Sequence, residues 1–83
     1  MGARPLLERA LAIRVKAYGP EHPEVATNLN NLAILLYAQG DLAGARPLFE
    51  RALAICEKVL SPDHPLTATI RNNLADLLER DRG

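Results

Sequence analysis

The chain has 83 residues, a mass of 9.1 kDa, and ten basic side chains balanced by ten acidic ones, with a pI near 6.7. That length allows one small domain, residues 1–83, whose core stabilises only marginally. The charge balance gives no electrostatic reason for nucleic acid or an anionic membrane as partner. No apolar run approaches the roughly 18–20 residues of a membrane span. Arg4, Glu8, Arg9 and Arg14 leave no signal-peptide core, and Leu6 stands where a myristoylation motif would need Ser or Thr. A lone cysteine, Cys56, excludes an internal disulfide and fits a reducing, cytoplasmic setting.

Periodicity and breakers predict four helices, at about 3–17, 23–39, 42–60 and 65–80, and hence an all-α protein. In the first, Ala3, Leu7, Ala10 and Arg14 lie along one line. Gly19-Pro20-Glu21-His22-Pro23 ends that helix and starts the next, with Pro23 in a first turn that does not need its N–H. Along the second, steps of 100° per residue gather Val25, Ala26, Leu29, Leu32, Ala33 and Leu36 on an apolar arc. Thr27, Asn30, Asn31, Ile34, Tyr37 and Ala38 lie opposite, on a face to be displayed. Gly40-Asp41 supplies a tight turn and a cap for the third helix. There Ala45, Phe49, Ala52 and Cys56 recur at i, i+4, i+7 and i+11, widened by Leu48, Leu53, Ile55, Val59 and Leu60. Pro47 lies just past the first turn and should bend this helix or delay its onset. After Ser61-Pro62-Asp63-His64-Pro65, the fourth helix displays Thr69, Asn72, Asn73, Asp76, Glu79 and Arg80.

The chain is one unit written twice. Shifted by 42 residues, 3–36 overlays 45–78 without a gap, and 22 of the 34 positions are identical. Leu32-Ala33, Leu36, Gly40, Leu42, Ala45, Phe49 and Ala52 resemble the small-and-large signature of the tetratricopeptide repeat. Leu29 stands where that family usually has an early tryptophan, and Glu57 where a helix-ending proline is common. The 42-residue period, with His22-Pro23, Ala26, Leu29 to Ala33, Leu35, Gly40, Ala45, Pro47-Leu48 and Arg51-Ala52-Leu53, is similar to the kinesin-light-chain-like subclass. The resemblance implies antiparallel helix-turn-helix units stacked as a right-handed α-solenoid. It also implies a concave wall built from the first helix of each pair, lined by Thr27, Asn30, Asn31, Ile34, Tyr37, Thr69, Asn72, Asn73 and Asp76. The function implied is non-catalytic protein–protein interaction, with a peptide or partner helix on that wall.

Among the polar residues, the doublets Asn30-Asn31 and Asn72-Asn73 carry the most information. An asparagine amide offers donors and an acceptor, suited to an extended peptide backbone or to a bond between helices. Tyr37 suits a contact aromatic or a cover for the apolar edge beside the turn. His22 and His64 recur in matching loops; two histidines fall short of a zinc site, and a capping role is expected. Cys56 reads as a buried thiol. Gly40 and Gly44 follow a helix and make no phosphate loop, and the carboxylates form no acid–base pair. No catalytic residue, cofactor or metal is expected.

The first helix should expose Leu6, Leu7, Ala10, Leu11 and Ile13, whereas Arg71, Asp76 and the run Glu79-Arg80-Asp81-Arg82 make the last helix more polar, like a cap. The C-terminus therefore reads as finished and the N-terminus as cut. Two units fall below the usual three, so the alternative is a self-assembling repeat fragment that forms a homo-oligomer through this edge or is weakly stable alone.

Overall fold

Glycine and proline divide the chain into four helices in the computed structural model, which describes residues 3–19 and 21–82 without the side chains of residues 3, 4 and 18. They are α1 (Ala3–Tyr18), α2 (Pro23–Ala38), α3 (Leu42–Val59) and α4 (Pro65–Arg82). Gly19 and Gly40 follow α1 and α2 with φ of 92° and 86°, the left-handed conformation in which a side chain would be strained. The α2 start is capped by His22, whose Nδ1 accepts from the Glu24 N–H at 3.0 Å. Forty-two residues on, His64 Nδ1 accepts from the Leu66 N–H at 3.1 Å. Each imidazole thus does the work usually given to Ser or Asp, satisfying a helix donor left open at the N-terminus.

Asp41 caps α3 with its Oδ1, which accepts from the Gly44 N–H at 2.9 Å. The helix then runs unbroken from Leu42 to Val59 with Pro47 inside it. The expected delay in its onset does not occur. Pro47 is exposed and forfeits only its own N–H bond, while the Asp41 cap holds the turn before it.

The Cα trace measures 38 × 35 × 16 Å. Its thin dimension fits two helix layers about 8–10 Å apart, each with a Cα radius of about 2.3 Å. Helix α2 packs on α1, on α3 and, at one edge, on α4; α3 packs on α2 and α4. Among the described residues no Cα atoms of α1 and α3 come within 8 Å of each other. The α2–α4 layer is therefore drawn closer together than the α1–α3 layer.

Two apolar clusters hold the layers. Val25, Ala26 and Leu29 meet Ala52, Ile55, Cys56 and Ile70 in one, with Leu11 and Val15 of α1 packed against it. Ala33, Leu36, Ala45, Phe49 and Leu77 form the other, near the α2–α3 turn. The alanines let backbones approach, and Phe49 fills the gap, at 1% exposure. Leu29 is fully buried, whereas Arg71, its equivalent in α4, is exposed; it bonds the Pro62 carbonyl at 2.9 Å and lies 3.8 Å from Glu57. Among the described residues, no helix is long and apolar enough to cross a membrane.

Candidate functional site

Where α2 and α4 come together, side chains from both helices surround a pocket of about 210 Å³ lined by Ile34, Tyr37, Phe49, Asn73 and Asp76. Ile34 comes from the solvent side of α2 and is 44% exposed. Tyr37 is half-buried one turn before Gly40, and the Arg80 guanidinium stacks over its ring, 4.9 Å from the centroid. Phe49 reaches the pocket from the core, and Asp76 is exposed on α4. Four of these five lining residues are among the expected wall residues. Phe49 is the addition; its apolar spacing marks it as core, and only the neighbouring helix shows that one side of it meets the pocket. Arg80 lies on the displayed arc of α4, but a pairing with Tyr37 across helices has no signature in either helix alone.

The remaining expected wall residues are placed unequally. Asn31, Asn72 and Thr69 are exposed. Thr27 is half-buried, and its hydroxyl donates to the Pro23 carbonyl at 3.2 Å, within its own helix. Asn30 departs from the expected display, being only 6% exposed. Its Oδ1 accepts from the Asn73 Nδ2 at 3.1 Å, so α4 covers it. The reason lies in the crossing of the two helices, which brings the flank of α2 at Asn30 against the opposite flank of α4 at Asn73. The bond spans 43 residues, one repeat plus one: the first asparagine of one doublet holds the second asparagine of the next. Sequence reasoning also missed Asn28, 9% exposed, whose Nδ2 is satisfied by the Glu24 carbonyl at 3.1 Å.

The residues expected along the α1 edge divide as well. Leu6 and Ile13 are 66% and 60% exposed, and Ile13 lines a hollow of about 270 Å³ with Ala10, Arg14 and Ala17. Leu7 and Ala10 are half-buried, and Leu11 turns inward onto the first core cluster. The two histidines cap separate helices, and among the described residues no three His, Cys, Asp or Glu side chains gather as a metal site would need. Cys56 is fully buried, and burial pushes its thiol up, outweighing the opposing interaction with the Thr67 hydroxyl.

A family model described as tetratricopeptide repeat matches residues 2–58 and, again, 29–82. The two matches overlap, as a sequence built of repeats should. No curated protein gives a significant match to the chain.

Proposed function

The chain belongs to the tetratricopeptide repeat family, whose members generally mediate protein–protein interaction, and we propose that it holds an extended peptide or a partner helix on the α2–α4 face. The observation that carries this reading is the pocket between α2 and α4, which joins apolar wall (Ile34, Tyr37, Phe49) to polar groups (Asn73, Asp76). Around it the free amides of Asn31 and Asn72 offer donors and acceptors to a backbone laid along the wall. Asn30 and Asn73 support the wall by holding the two helices in register. The 42-residue period supports a kinesin-light-chain-like subclass, and the buried free thiol suits a reducing cytoplasm.

The test uses peptides selected from a random displayed library on the immobilised chain. Ile34→Arg fills the wall with charge, and Ala54→Arg places the same charge on an exposed position of α3. Selected peptides should lose binding to the first variant and keep it with the second. Equal binding to both would sink the wall as the binding face.

A second reading is favoured by the exposure of Leu6 and Ile13 on α1: two copies associate through that edge. Sedimentation at micromolar concentration decides it, since a monomer throughout the range rules the association out.

A further inference from the structure

The five lining residues of the α2–α4 pocket differ in what they leave unsatisfied. Ile34, Tyr37 and Phe49 present carbon and ring surface. Asn73 gives an N–H to Asn30, and among the described residues its Oδ1 has no hydrogen-bond partner. Asp76 carries an exposed carboxylate and, like Asp41, Asp63 and Asp81, makes no ion pair among the described residues, but it alone of these lines the pocket. The nearest cation on the same helix, Arg80, lies over the Tyr37 ring rather than on Asp76. The pocket therefore offers an apolar wall and two hydrogen-bond acceptors, one of them charged.

From this we infer that the pocket takes a basic side chain, lysine or arginine, from the bound peptide; the inference rests on the wall being the binding face. A basic side chain is an aliphatic stem carrying a cationic head, and the stem matches Ile34 and Tyr37 while the head matches Asp76 and Asn73 Oδ1. The Arg80 guanidinium already occupies a face of the Tyr37 ring, so the incoming head is left to Asp76 and Asn73 Oδ1. An apolar side chain of the same length covers the carboxylate without pairing it, and an acidic one meets it with like charge. Selectivity thus comes from the group the pocket would leave unpaired with the wrong partner.

The experiment titrates four short peptides, blocked at both ends and alike except for a central lysine, arginine, norleucine or glutamate, into the isotope-labelled chain. Amide and methyl shifts of Ile34, Asn73 and Asp76 report the site. Lysine and arginine peptides should bind at least about tenfold tighter than the norleucine peptide, with the ratio falling as salt is raised. Asp76→Asn, at an exposed position, keeps the fold and should bring the ratio below about twofold. Norleucine binding as tightly as lysine, or a preference that survives Asp76→Asn, overturns the inference while leaving the wall reading intact. Absence of shifts on the wall with all four peptides overturns both.

Discussion

Thr67 is the buried polar residue whose removal should strengthen the fold. It is fully buried in α4, and its Oγ1 has no well-formed hydrogen bond. Forty-two residues earlier the same position is Val25, also fully buried. Burying an unpaired hydroxyl costs about 1–3 kcal/mol in protein mutational data. The adjacent Cys56 thiol, a weak partner, recovers part of that cost. Thr67→Val should therefore raise stability by about 1 kcal/mol, or the melting temperature by about 4–8 °C for a domain of this size. Urea unfolding followed by circular dichroism, at fixed protein concentration, reads the gain as a higher midpoint with unchanged slope. The reciprocal Val25→Thr places a hydroxyl in the first cluster and should cost about 1–3 kcal/mol. A lower midpoint for Thr67→Val would refute the reasoning, because the hydroxyl would then have to make a bond stronger than its desolvation.

Asn73→Ala should cost about 1–3 kcal/mol, because the buried Asn30 amide loses its partner, while Asn31→Ala and Asn72→Ala stay within about 0.5 kcal/mol. Equal losses at all three would mean that the bond between the helices contributes nothing particular. His22→Ala and His64→Ala each remove a cap and should cost about 1 kcal/mol in thermal unfolding, with His22→Asn recovering most of it; an unchanged His22→Ala melt would count against the capping role. Burial raises the Cys56 thiol, so its contribution is fully present below the unfolded thiol's value and is lost as pH rises from there through the raised folded value. Unfolding free energy should accordingly fall above about pH 8.5, by at most about 1.4 kcal/mol per pH unit, measured in reductant. Cys56→Ala should lack that added slope, and parallel curves for the two proteins would contradict the assignment.

The fold was legible because its determinants are local and written twice. The prolines and the capping histidines recur 42 residues apart, and apolar spacing marks the faces of α2 and α3 that meet. What escaped was anything decided between helices. A projection of α2 alone places Asn30 beside Asn31 on one displayed arc, but α4 closes over the first and leaves the second in solvent. Leu11 reads as part of the α1 edge until α1 is seen to lean on the first cluster. Phe49 reads as core alone until the pocket is seen to reach it. Pro47 shows the converse error: a local rule against proline inside helices yields to a good cap and an exposed ring.

The Asn30–Asn73 bond has a consequence for how such a unit can change over time. Because it links the first residue of one doublet to the second of the other, a further copy stacked in the same way would meet Asn72 as Asn73 meets Asn30. Such a copy would bring its own fastening and need no compensating substitution at the seam. The same bond carries a change at either asparagine into the neighbouring copy, since Asn30 and Asn73 lie in different repeats.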